Sequence, residues 1–309
     1  MEKAYLGVDC GSVSLKLALI DENKNLIDSV YLRNKGIIET SKKGLEKIAN
    51  DEYEISGVGT TGSGRKFLGI LLNSDIVRAE TIAHTIGTLN YYPDARTVMD
   101  IGGEDSKLMI IREGIMEDFV LNNICGAGTG SVIDAIAYRL GIKIEDVGDM
   151  ALKYRQSLDF PSKCGIFNQS RVVDKQNKGA RKEDILMGSI RALVSCYLTM
   201  AKNIGLEPPY IYQGATAKNK AIVRAFEEQL EHKVIVPEYC DVMGAIGIAL
   251  LVMEEDIKKT KFKGFGITDY DFETKIRYCE DCENNCELNE IYENNKLIGV
   301  LGSRCGKYP

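Results

Sequence analysis

Tryptophan is absent from the 309-residue chain, and histidine occurs only at His84 and His232. Histidine-based metal catalysis therefore has little to draw on. Basic residues are outnumbered, 39 Lys and Arg against 45 Asp and Glu, for a formal net charge of -6. A general nucleic-acid binder needs the opposite balance, because it must neutralise phosphates. No apolar run approaches the roughly 20 residues that span a bilayer. The N-terminus, MEKAYLGVDCG, enters a strand pattern without the apolar core of a signal peptide. These absences predict a cytoplasmic protein with no nucleic-acid and no membrane partner.

The chain is 44% hydrophobic and 27% charged, a globular composition, and its length fits two domains. Nine cysteines are many for a reducing compartment, where clustered thiols more often bind metal or carry redox chemistry than form disulfides.

Apolar periodicity predicts a β-β-β-α-β-α order over the first third, with strands at 5–8, 15–20, 25–32 and 55–58 and helices at 41–50 and 79–89. The pattern restarts with strands at 97–101, 107–111 and 119–122. Helices at 130–140, 144–153, 172–178 and 183–204 follow. Strands at 210–213 and 233–235 flank a helix at 220–230, and an apolar helix occupies 243–258. Residues 262–274 read as a linker and 279–309 as a separate cysteine-bearing tail.

Each half opens with a hairpin whose turn is rich in small and acidic residues. Asp9-Cys10-Gly11-Ser12-Val13-Ser14 leads into Lys16 on the second strand. Small residues let backbone approach phosphate, hydroxyls and N–H groups bond it, and Asp9 at a strand end suits Mg²⁺. Asp100-Ile101-Gly102-Gly103-Glu104 offers the same chemistry in the second half. Further glycine clusters stand at Gly126-Ala127-Gly128-Thr129-Gly130, at Gly214-Ala215-Thr216-Ala217 near Asn219, and at Gly244-Ala245-Ile246-Gly247. The last fits helix packing as well as ligand contact.

This ordered set resembles the ATPase superfamily of actin, sugar and acetate kinases and heat-shock chaperones. The resemblance spans residues 1 to about 258. It implies an α/β fold of two ribonuclease-H-like domains, the actin-like ATPase fold, with ATP or ADP and Mg²⁺ in an interdomain nucleotide cleft. The implied divisions are 1–94 completed by a helix at 241–260, then 95–240, then a linker and tail at 261–309. Asp9–Ser14 and Asp100–Glu104 become the two phosphate loops, Gly126–Gly130 and Gly244–Gly247 the connections, and Gly214–Asn219 the adenosine side. Gln213-Gly214 departs from the two glycines of many relatives.

Two cysteines narrow the resemblance. Cys125 precedes the Gly126–Gly130 loop, and Cys164 stands in Ser162-Lys163-Cys164-Gly165-Ile166-Phe167. Each leads into a helical stretch, where a thiolate or an anionic cluster is favoured. These segments, with Asp100–Lys107, look like those of the activators of 2-hydroxyacyl-CoA dehydratases, of benzoyl-CoA reductase ATPase subunits and of double-cubane-cluster protein reductases. The resemblance implies one [4Fe–4S] cluster per homodimer, held by Cys125 and Cys164 of both copies. It further implies ferredoxin or flavodoxin as electron donor and a dehydratase or double-cubane-cluster protein as acceptor. Glu104 stands where the family commonly has Gln, and a carboxylate there can orient or deprotonate the attacking water. A small-molecule kinase or a chaperone-like regulatory ATPase would use the same phosphate loops without needing Cys125 or Cys164.

Cys279-x2-Cys282-x3-Cys286-x18-Cys305 closes the chain in a segment with few apolar residues. A metal there would supply folding energy. Four thiolates suit Zn²⁺ or an iron–sulfur centre, and the spacing departs from the ferredoxin run, which favours zinc. Cys10, Cys196 and Cys240 have no partner pattern.

Overall fold

The computed structural model describes residues 1–122, 128–160 and 165–308. In chain order the first elements are β1 (Glu2–Cys10), β2 (Ser14–Asp21), β3 (Leu26–Arg33), α1 (Ile37–Ile48), β4 (Tyr53–Thr61), α2 (Arg65–Leu72), β5 (Ile76–Val77) and α3 (Glu80–Tyr91). There follow β6 (Thr97–Ile101), β7 (Ser106–Arg112), β8 (Ile115–Asn122), α4 (Gly130–Leu140), α5 (Val147–Ala151), α6 (Gly165–Asn177) and α7 (Lys182–Thr199). The last are β9 (Tyr210–Gln213), α8 (Lys220–Leu230), β10 (Val234–Ile235), α9 (Met243–Glu254), β11 (Phe272–Tyr278), β12 (Glu287–Glu293) and β13 (Lys296–Leu301). They group into two compact units, Met1–Gly87 with Gly244–Pro309, and Thr88–Met243.

The first unit holds a five-stranded sheet in the order β3-β2-β1-β4-β5. β1 and β2 are antiparallel, as are β2 and β3, while β4 runs parallel to β1. Leu6 through Cys10 are all buried, because β1 is central and covered on both faces, so it reads as an apolar run rather than an alternation. α9 rests directly on the strand backbone: a Cβ on Gly7 would lie 1.9 Å from the Ala245 carbonyl oxygen. On α1, Leu45 and Ile48 are buried, and the missing side chain of Gly44 makes room for Leu17.

The second unit repeats the topology in the order β10-β9-β6-β7-β8. β6-β7-β8 is again an antiparallel meander, and β9 is parallel to β6. Helices α4, α5, α7 and α8 contribute Ile136, Val147, Ile190 and Phe226 to its core. The segment Lys182–Lys202 is long and apolar enough to cross a membrane by length and composition, contrary to the expectation that no stretch is. Within the unit 67% of that window is buried, as the central helix of a packed core requires.

The linker and separate tail expected over 261–309 are replaced by ordered structure in the first unit. Phe265–Asp269 forms a 3₁₀ turn, and β11-β12-β13 is an antiparallel sheet. Ile267, Phe272 and Ile291 join the same core as Leu15 and Leu45, and Gly299 packs on Ile70 of α2. Asp75 anchors the connection, accepting from Thr260 Oγ1 at 2.7 Å and Lys261 N–H at 2.9 Å. The tail has few apolar residues, and Ile267, Phe272 and Ile291 among them pack into the first unit's core. Ile291→Ala should therefore lower that unit's stability by about 2–4 kcal/mol, the cost of emptying a fully buried isoleucine site. Urea unfolding measures it; an unmoved midpoint would mean a tail that hangs free.

Candidate functional site

In the first unit the β1–β2 hairpin pairs Asp9 with Lys16 and Cys10 with Leu15. The turn is closed by Gly11 N–H donating to Ser14 C=O at 2.9 Å. Asp9 is buried, and Lys16 Nζ lies 3.1 Å from its Oδ2. Two glycines crowd the carboxylate. Gly62, at φ 88°, follows β4, and a Cβ there would lie 2.6 Å from Asp9 Oδ1; at Gly244 one would lie 2.9 Å from Oδ2. Any side chain at either position would displace the carboxylate. Gly11 lies beside the Lys16 ammonium, Ser12 is exposed at the turn and Ser14 is buried. Burial, with Asp9 beside it, pushes the Cys10 thiol up to about 12 despite Lys16. Cys10 is thus a neutral packing group, its sulfur filling the space beside Gly64.

The second unit builds the same object. β6 and β7 pair Asp100 with Lys107, and Gly102 N–H closes the turn on Asp105 C=O at 2.9 Å. Lys107 Nζ lies 3.3 Å from Asp100 Oδ2 and 3.0 Å from Asp105 Oδ2. Gly214, at φ 89°, follows β9, and a Cβ there would lie 2.7 Å from Asp100 Oδ1. Gly62 and Gly214 are thus structural equivalents, as are Asp9 and Asp100, Lys16 and Lys107. Sequence reasoning singled out Lys16 but not Lys107. The shared Asp-x6-Lys spacing is the signal that finds it.

The second hairpin also reaches further into its unit. The Gly102 and Gly103 carbonyls accept the Gly130 and Ser131 N–H groups at 2.9 and 2.8 Å, so the first turn of α4 is bonded to the loop itself. Thr129, fully buried, precedes that turn, and Gly128, at φ 82°, lies against the Tyr197 backbone of α7. Tyr197 Oη donates to Lys107 C=O at 2.5 Å, and burial raises its hydroxyl well above the usual phenol range. Thr216 Oγ1 donates to Ile101 C=O at 2.8 Å, holding the Gly214–Ala215 turn to β6. Glu104 is exposed at the turn tip.

The other sequence-predicted residues divide. Ala215 is exposed. Asn219 caps α8, its Oδ1 accepting from Ala221 and Ile222 N–H at 3.0 and 3.3 Å. In the last glycine cluster Gly244 touches Asp9 and His84, whereas Gly247 serves packing against the Ala83 carbonyl of α3. Gly126, Cys125 and Cys164 lie outside the described residues. The chain leading to Cys164 is strapped to α7: Asp184 accepts from Arg155 and Gln156 N–H, and Gly188 leaves room for the Phe160 ring. In the tail Cys279 and Cys286 are buried and Cys282 and Cys305 exposed; among the described residues no three His, Cys, Asp or Glu are gathered closely enough to hold a metal.

Comparison with known proteins adds to this geometry. The family described as the BadF/BadG/BcrA/BcrD ATPase family matches residues 6–252. The (R)-2-hydroxyglutaryl-CoA dehydratase activating ATPase of Acidaminococcus fermentans is 29% identical over 258 residues, which is 82% of this chain and 98% of that one. The solved activator of the 2-hydroxyisocaproyl-CoA dehydratase from Clostridium difficile, with bound ADPNP, has a TM-score of 0.75 at 26% identity and covers 81% of this chain and 94% of its own. A ROK family glucokinase from Streptomyces griseus, at TM-score 0.53 and 13% identity over 82% of this chain and all of its own, shares the fold alone. The fold is that of the actin-like ATPases.

The two ion pairs differ in burial, and that difference is measurable. Lys107→Met leaves Asp100 buried without its ammonium and should cost about 3 kcal/mol or more. Lys16→Met should cost less, since the Lys16 side chain is 17% exposed against 4% for Lys107. Chemical denaturation of the two variants tests the order; equal, small effects would contradict it.

Proposed function

Because the chain belongs to the BadF/BadG/BcrA/BcrD ATPase family, we propose that it is an ATP-hydrolysing activator that delivers low-potential electrons to a partner iron–sulfur enzyme of the 2-hydroxyacyl-CoA dehydratase or double-cubane type. The observation that carries this reading is the bonding of Gly102 and Gly103 to the first turn of α4. It connects a phosphate-type loop to the helix that begins five residues after Cys125.

The phosphate-binding residues of this reading are Gly11, Ser12, Ser14 and Lys16 in the first unit and Gly102, Gly103, Gly128, Thr129 and Gly130 in the second, with Gly126 assigned from the sequence alone. Asp9 takes part in holding Mg²⁺, whose hard-oxygen preference its carboxylate meets, and Asp100 is its counterpart. Gly214, Ala215 and Asn219 face the adenosine side, and Gly244 keeps the Asp9 carboxylate in place. Glu104, exposed at the turn tip, positions the attacking water. Hydrolysis to ADP then alters what the Gly102–Gly103 backbone holds, and α4 feels the change through its first two N–H groups. A loop with two bonding arrangements is a two-state element that nucleotide can bias.

Cys125 and Cys164 are the ligands of one [4Fe–4S] cluster shared by a homodimer. Two thiols per chain fall short of the four such a cluster takes, and a second copy completes the set. Cys164 immediately precedes α6, a helix N-terminus of the kind that stabilises a thiolate. When bound, the cluster supplies one-electron chemistry, accepting from a ferredoxin or flavodoxin and giving to the partner enzyme.

Purified without oxygen, the protein should be brown, bleach in air and contain about four iron atoms per dimer. Cys164→Ser should lose the colour and Cys196→Ser keep it; iron unchanged in Cys164→Ser would refute the cluster assignment. Glu104→Gln should lower kcat for ATP hydrolysis by about 10² while ATP affinity is unchanged. An unaltered kcat would remove Glu104 from the water-positioning role.

A further inference from the structure

We propose that Cys279, Cys282, Cys286 and Cys305 form a structural zinc site that locks the free end of the C-terminal sheet. This rests on the tail's own geometry and not on the activator reading. The sheet is well packed at one end only. Phe272 and Ile291 enter the core of the first unit, whereas Cys279, Cys286, Leu288, Val300 and Tyr308 form a small separate cluster. Most of β11 is exposed. Such a cluster is too small to hold a sheet end by itself, and a metal is the usual substitute for missing core.

The backbone brings the cysteines to that end on two loops. Cys279 and Cys286 face each other where β11 and β12 separate, with Cys279 N–H donating to Cys286 C=O at 2.8 Å. Cys282 lies on the turn between them, closed by Asn285 N–H donating to Cys282 C=O at 3.2 Å. The second loop follows β13. Gly302, at φ 98°, is pressed against the Glu287 carbonyl at the start of β12, so close that a Cβ there would lie 2.2 Å from the oxygen. This turns residues 303–308 back over the hairpin. The loops are then clasped through Asp281, which pairs with Lys307 Nζ at 2.7 Å and accepts from Tyr308 Oη at 3.2 Å.

Two of the sulfurs already meet polar groups of these loops. Cys279 Sγ donates to Asp281 Oδ2 at 3.4 Å, on the same carboxylate that clasps Lys307 and Tyr308, and Cys305 Sγ lies 3.7 Å from Ser303 Oγ. Gly306, at φ 74°, gives the second loop the left-handed step that an L side chain rarely adopts.

Cys279 and Cys286 are buried and Cys282 and Cys305 exposed, so closing the site draws the two exposed thiols onto the two buried ones. Four thiols release four protons to solvent and bind one Zn²⁺, leaving two negative charges beside Arg304 and Lys307 on the same loop. A closed four-sulfur shell makes the ion structural, with no open position for substrate. The C-x2-C-x3-C spacing differs from the C-x2-C-x2-C run of bacterial ferredoxins, and two short loops suit a single tetrahedral ion.

The test is elemental analysis of the full chain after growth with zinc and iron. About one zinc per chain is expected. C282S/C305S should lose it, while C196S retains it. Metal-free wild type titrated with zinc alone should protect four thiols from a thiol reagent, a readout that stands even if the double variant folds poorly. Zinc absent from wild type, zinc unchanged in C282S/C305S, or iron and acid-labile sulfide lost with these cysteines would each overturn the proposal.

Discussion

A carboxylate buried at the end of a central strand must find a counter-charge, and this chain meets that demand twice with the same device. Asp9 and Asp100 each lie opposite a lysine seven residues on, across an antiparallel hairpin. Each is also pressed by a glycine in the left-handed region, Gly62 or Gly214, at the end of the neighbouring parallel strand. A buried ion pair is an inefficient way to stabilise a fold, because desolvation offsets most of the attraction. Its value here is positional. The pair, the two-residue closure of the turn and the glycine together fix the loop backbone. The sheet order, the parallel placement of β4 and β9 and the close seat of α9 on Gly7 all serve to hold those atoms in place.

The duplication is not perfect, and its break is informative. At the first turn the Gly11 carbonyl accepts from the Asn34 side chain at 3.2 Å, and the Val13 carbonyl from Asn34 N–H at 2.8 Å. That turn is tied to the end of its own meander. At the second turn the Gly102 and Gly103 carbonyls are tied instead to the start of α4. One loop is anchored locally and the other is wired to a helix, and the wired one is nearest in sequence to Cys125. The asymmetry matches the proposed division of labour, in which both loops handle phosphate and one of them reports on it.

Much of this is legible in the sequence, and the gaps have physical causes. The restart of a βββ pattern at residue 97 carries the fold class, because hairpin turns and apolar strands leave strong local signals. Edge strands as short as Ile76–Val77 leave none. The start of α1 at Ile37, ahead of the predicted 41, depends on Gly36 at φ 146° rather than on periodicity. β11 escapes because Glu273, Lys275 and Arg277 alternate with residues that are themselves mostly exposed. Lys107 reads as an ordinary outward strand residue unless its spacing from Asp100 is matched to that of Lys16 from Asp9; the structure buries it between Asp100 and Asp105. Asn219 reads equally as ligand contact or helix cap, and the helix that follows takes its oxygen. Cys125 and Cys164 rest on sequence context alone.

The central claim is that the second phosphate loop passes its state to α4. Hydrogen exchange at the Gly130 and Ser131 amides, compared between ADP and a non-hydrolysable ATP analogue, tests it most directly. The account predicts that protection of these two amides changes with the nucleotide, since their acceptors are the Gly102 and Gly103 carbonyls. Identical exchange at both amides in the two saturated complexes would contradict it.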